Sequence, residues 1–132
     1  MKLVFQRKDR KMIATTIEQS KELVRLGLDP KTADMVWMCN KWLYSIKDNI
    51  LNREQFSEQD TLAWSFTALL GVLPLGTELN KMRNDAHEIY YEIDCADATG
   101  WVGYEDSDPI TAAYEMVCCL LEQGLIKKGG DK

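Results

Sequence analysis

Between Asp60 and Pro74 the chain reads DTLAWSFTALLGVLP, and Leu62, Phe66, Leu69, Leu70 and Leu73 fall at the offsets of one face of an α-helix. Pro74-Leu75-Gly76 follows at once, removing a backbone donor and then a β-carbon, so a helix cannot continue through it. The spacing predicts a central core helix over 60–74, capped by Ser57 with Asp60 at the third position or by Asp60 itself. Any fold of this chain has to cover that apolar face.

Two further helices announce their ends. Thr15 with Glu18 forms a capping box, and Thr16 with Gln19 an overlapping one. The helix they open runs to about Leu26, buries Ile17, Leu23 and Leu26, and stops at Gly27, with Leu28 folded back onto Leu23. The last helix has Asp108 as cap and Pro109 in the first helical position, where a missing N–H costs nothing. Ile110, Tyr114, Val117, Leu120 and Leu121 form its buried stripe, and Gly124-Leu125 repeats the stop, with Leu125 placed against Leu120.

Strands are expected between these helices. From His87 to Cys95 the residues alternate, Ile89, Tyr91, Ile93 and Cys95 on one face and Glu88, Tyr90, Glu92 and Asp94 on the other. Asp97 to Gly100 supplies a turn and Trp101 to Glu105 an antiparallel partner, with a short strand around Lys81 to Arg83. For Met35 to Ile46 two patterns compete. Met35, Met38, Trp42, Ile46 and Ile50 would line a helix, whereas Trp42, Tyr44 and Ile46 alternate as strands do, with Asn40-Lys41 as a turn. The expectation is a hairpin, followed by a loop over 47–59. The fold class is therefore α+β, three helices on a small antiparallel sheet of four or five strands, in the order helix, hairpin, helix, strands, helix.

At 132 residues, 45% hydrophobic and 28% charged, the chain has the make-up of one folded domain rather than of a disordered one. The expected layout is a flexible basic arm over 1–11, a single domain over 12–126 and a frayed tail over 127–132. No apolar run approaches the ~18 residues that span a bilayer, so no membrane association is expected and the compartment read from the sequence is the cytoplasm. The net charge of −5 is unevenly spread: residues 1–11 carry +4 and the remainder −9. No Lys or Arg occurs from Asn84 to Ile126, a stretch holding Asp85, Glu88, Glu92, Asp94, Asp97, Glu105, Asp106, Asp108, Glu115 and Glu122. Such a field repels nucleic-acid phosphates and attracts basic partners.

Three segments, TTIEQSKELVRLGLDPKTADM (15–35), AWSFTALLGVLP (63–74) and DPITAAYEMVCCLLEQG (108–124), resemble a family of small uncharacterised proteins of bacteriophages and mobile elements in gut anaerobes. The correspondence is weakest over 38–59 and 76–94. The resemblance implies an α+β fold and a mobile-element setting, and it implies a start near Met12, which would put residues 1–11 upstream of the natural beginning. It brings no activity and no catalytic residues.

The residues themselves carry little chemistry. His87 is the sole histidine, and Cys95, eight residues along a strand, is about 26 Å away. Cys39, Cys95, Cys118 and Cys119 lack the clustered spacing of a zinc site and are read as free buried thiols. Glu105-Asp106-Ser107-Asp108 lacks the glycine and distal glutamate of an EF-hand, and helix capping accounts for Asp108. There is no phosphate-binding loop. No cofactor, metal or catalytic residue is assigned.

The favoured reading is a non-enzymatic accessory protein that binds a basic protein partner through an acidic surface of Glu88, Glu92, Asp94, Asp97, Glu105 and Asp106, with the loop from Asp94 to Asp108. The alternatives are a small enzyme using carboxylates or His87, and an acidic nucleic-acid mimic that inhibits a DNA-binding protein. Trp64 lies off the leucine stripe of its helix, so either the core or a homodimer contact covers it.

Overall fold

The computed structural model describes residues 13–46 and 56–126 and the backbone of Leu3–Phe5. In chain order the elements are β1 (Leu3–Phe5), α1 (Ile17–Arg25), β2 (Met35–Met38), β3 (Trp42–Ser45), β4 (Thr61–Ala63), α2 (Phe66–Val72), β5 (Glu78–Arg83), β6 (Ile89–Asp97), β7 (Gly100–Asp106) and α3 (Pro109–Glu122). This is the α+β class in the order read from the sequence. The strands divide between two antiparallel sheets, β1-β3-β2-β4 and β5-β6-β7. Each sheet grows from a local hairpin, and α2 with Pro74 turns the chain away from the first sheet before β5 begins the second.

The ambiguous Met35 to Ile46 stretch is a hairpin, with Met38 opposite Trp42 and Met35 opposite Ser45. Cys39 and Asn40 take positive φ in its turn, and the Asp60 carboxylate accepts the Cys39 N–H at 2.7 Å. Three residues of the stretch read as an arm, Leu3–Phe5, pair with β3. The rest of 1–11, residues 47–55 of the expected loop and the tail over 127–132 lie outside the described residues.

The expected helix over 60–74 is corrected at its start. Thr61, Leu62 and Ala63 form β4, paired with Trp37, Val36 and Met35 of β2, and the helix begins only at Phe66. Its cap is Ser65, not Ser57 or Asp60: the Ser65 hydroxyl accepts the Ala68 N–H and donates to Asp34, which also accepts the Ser65 N–H. Leu62 and Phe66 share a helical offset, but pairing with β2 satisfies the backbone of 61–63 and overrides that local period. Trp64, between β4 and α2, is fully buried and donates its indole N–H to Thr32 Oγ1 at 2.8 Å. The core of this chain covers it.

The centre of the molecule is α3, not α2. Asp108 caps it, and Ile110, Ala112, Ala113, Met116, Val117, Leu120 and Leu121 are all buried. It packs against β6, β7 and α2 and touches α1, so apolar residues occupy more than one stripe. Its cluster takes in Leu23, Leu28, Trp64, Leu69, Ile93 and Cys95, while Ala14, Met35, Leu43 and Ala63 form a second cluster. Of the overlapping boxes the Thr16–Gln19 pair caps α1, and Leu23 is buried whereas Ile17 and Leu26 are half-buried. Both helix stops have the expected form: the N–H of Leu28 reaches the carbonyl of Leu23 and that of Leu125 the carbonyl of Leu120, around Gly27 and Gly124 at φ 99° and 74°. All four cysteines are free, but only Cys95 is buried; Cys39 is exposed in its turn. Among the described residues no helix is long and apolar enough to cross a membrane.

Candidate interaction face

The second sheet owes its form to two short turns. Between β5 and β6, Asn84 Oδ1 accepts the N–H groups of Ala86 and Glu88, fixing a turn in which exposed His87 takes φ 64°. Between β6 and β7, Asp97 Oδ1 accepts the N–H and hydroxyl of Thr99. The segment from Asp94 to Asp108 is therefore mostly hairpin rather than loop. Continuous register places Glu92 opposite Glu105 and Asn80, and Asp94 opposite Gly103 and Glu78. Residues opposite one another in antiparallel strands share a face.

Ile93, Cys95, Val102 and Tyr104 turn inward to the core formed with α3. The outer face presents Glu78, Asn80 and Met82 from β5, Tyr90, Glu92 and Asp94 from β6, and Trp101, Gly103 and Glu105 from β7. Two large side chains on it stand open, Trp101 at 55% and Met82 at 41% exposure. Lys81 and Arg83 alternate to the other face, so among the described residues no cation sits within the outer carboxylate group.

Electrostatic strain on this face is local. A hydrogen bond with Asp94, repulsion from the same carboxylate and, last, repulsion from Glu105 hold the Glu92 carboxyl above its ordinary range. The Asp94 side chain lies across Gly103, where a β-carbon would collide with its carboxylate. The absence of a side chain at Gly103 is thus what lets the acidic group spread from β6 over β7.

Of the six acidic residues singled out in the sequence, Glu92, Asp94 and Glu105 come together here. Glu88 sits in the turn beside Asn84, whose amide donates to it at 3.3 Å. Asp97 lies at the hairpin end, where the hydroxyl of Thr99 and the amide of Gln123 hold its carboxyl below the usual range. Asp106 accepts the Asp108 N–H at 2.9 Å and so serves the start of α3. Glu78, Trp101 and Gly103 also belong to the face. Trp101 and Gly103 follow from the alternation of β7; Glu78 was hidden because the sequence suggested a strand only around Lys81 to Arg83, whereas β5 starts at Glu78.

Asn84, Tyr90, Glu105 and Asp106 line an open cleft of about 320 Å³ at the end of this sheet. It contains no nucleophile paired with a base. His87 is at the opposite end of β6 from Cys95, whose thiol is buried against Met116 and pushed up by that burial. Burial likewise pushes the Cys118 thiol up to about 11, and a hydrogen bond with Cys119 pushes the Tyr104 phenol up to about 12. Among the described residues no three ligating side chains converge as a metal site requires. Comparison with protein-family models, with curated proteins and with solved structures gives no match.

Proposed function

We propose that the chain is a non-enzymatic binding module, an accessory protein in the mobile-element setting that its sequence resemblance implies, and that the outer face of the β5–β7 sheet receives a basic protein partner. The observation that carries this reading is the arrangement of Glu92, Asp94 and Glu105 on one face that no described residue covers, with the Glu92 carboxyl held above its ordinary range chiefly by Asp94. Like charges gathered with no cation among the described residues beside them raise the energy of the free protein, and an incoming Lys or Arg relieves that repulsion. Trp101 and Met82 add the exposed aromatic and thioether surface that interface cores favour. An acidic group that served only solubility would gain nothing from such crowding.

The test is affinity capture from host lysate with the wild type and with a Glu92→Lys/Asp94→Lys/Glu105→Lys variant whose folding is verified by circular dichroism. The expected result is a basic protein retained by the wild type, released by salt and lost in the variant. An identical set of captured proteins for both would refute the proposal.

A further inference from the structure

We infer that the partner adds a strand to the free edge of β7, as an extended segment that alternates basic and apolar residues; this rests on the acidic-face reading above and specifies how that face is used.

The edge is open. β7 ends its sheet, and among the described residues its ladder is made with β6 alone, in unbroken register from Asp106 opposite Tyr91 to Gly100 opposite Asp97. Sheet edges are ordinarily guarded by lysine, proline, a bulge or short length, because unpaired N–H and C=O groups recruit other chains. The seven residues GWVGYED of β7 carry no lysine, proline or bulge, and the only charges on this edge are the carboxylates Glu105 and Asp106 at its end, which repel an acidic strand and admit a basic one. On the opposite edge, β5 has Lys81 and Arg83.

The rows of side chains beside that edge define what fits it. On the outer side stand Trp101, the gap at Gly103 and Glu105; on the inner side, next to α3, stand half-buried Val102 and Tyr104. An added strand therefore places alternate residues against an aromatic and acidic row and against a row that is apolar at Val102 and Tyr104 and ends at Asp106. Asp94 lies two strand spacings away, about 10 Å, and a long cationic side chain reaches it over Gly103 because nothing stands between. Trp101, exposed beside that edge, supplies aromatic surface on which a cation can rest. Charge decides against a second β7 edge as occupant: two such edges brought together join two acidic surfaces, and residues 84–126 supply no Lys or Arg to offset them. A basic extended segment meets complementary charge instead.

The probe is a fluorescein-labelled nine-residue peptide alternating Arg and Val, titrated against the full chain by anisotropy at low salt. Two analogues are N-methylated, one at every Arg and one at every Val. Strand addition uses the N–H groups of one alternate set only, so one analogue should weaken by about tenfold or more while the other stays within about threefold of the parent. Glu105→Lys and Trp101→Ala should each weaken the parent peptide, and circular dichroism of both variants should match the wild type. Equal, salt-sensitive binding of all three peptides would overturn strand addition and leave the acidic-face reading standing. Failure of every peptide to bind would overturn both. A free chain that sediments as a dimer and binds peptide only on dissociating would assign the edge to a second copy.

Discussion

Thr15 shows how a single side chain can tie the two halves of the core together. Its hydroxyl accepts the Trp64 N–H at 3.1 Å and pairs with Ser20 Oγ at 2.7 Å, and Ser20 already donates to the Thr16 carbonyl, so the Thr15 proton goes to Ser20. Each atom in this buried set is matched. Thr15→Val keeps the shape and removes the acceptor, leaving the Trp64 N–H buried without its partner; the expected cost is about 1–3 kcal/mol, read as a lower urea midpoint at unchanged slope. Thr15→Ser retains the hydroxyl and should lose less. In the sequence Thr15 reads as a helix cap, because local spacing cannot distinguish it from Thr16. A contact 49 residues away makes the difference.

At the scale of elements, the ends of helices were legible and the start of α2 was not. Caps and stops depend on a few adjacent residues, and Asp108-Pro109, Gly27-Leu28 and Gly124-Leu125 all act as local chemistry dictates. The strand β4 depends on β2, whose paired residues lie 24 to 28 positions earlier in the chain, and no local period records that pairing. Two glycines make opposite predictions. Gly124 sits at φ 74°, so Gly124→Ala should cost about 1 kcal/mol from backbone strain alone, since a β-carbon there would touch nothing within 4 Å. Gly71 lies inside α2 with equally open space, and Gly71→Ala should stabilise by about 0.5–1 kcal/mol. Thermal melts of the two variants, moving in opposite directions from the wild type, check both.

For the molecule as a whole, the outer carboxylates set charge repulsion on the sheet face against the packing of α3 on its other side. Because the folded state raises the Glu92 pKa, it holds that proton more tightly than the unfolded chain does. Stability therefore falls as pH rises through the window from the ordinary value of 4.5 to the raised one. Glu92→Gln should accordingly melt higher than the wild type at neutral pH, and the gap should close in acid below the ordinary carboxylate range. Scanning calorimetry at both pH values checks the sign; a lower melting temperature for the variant at neutral pH would contradict it.

The sequence by itself determined the α+β class, the caps and stops of α1 and α3, the β6–β7 hairpin and the separation of charged from apolar residues along β6. All of these rest on contacts within about a dozen residues, where spacing and turn chemistry act directly. Only the tertiary structure decided that 61–63 is a strand, that α3 rather than α2 is the centre, and that Trp64 is buried within its own chain. It also divided the strands into two sheets, and it gathered Glu92, Asp94 and Glu105 while setting Glu88, Asp97 and Asp106 to local hydrogen bonds. Those outcomes follow from pairings and packing between distant segments, whose energies outweigh local propensity without leaving a periodic mark in the sequence.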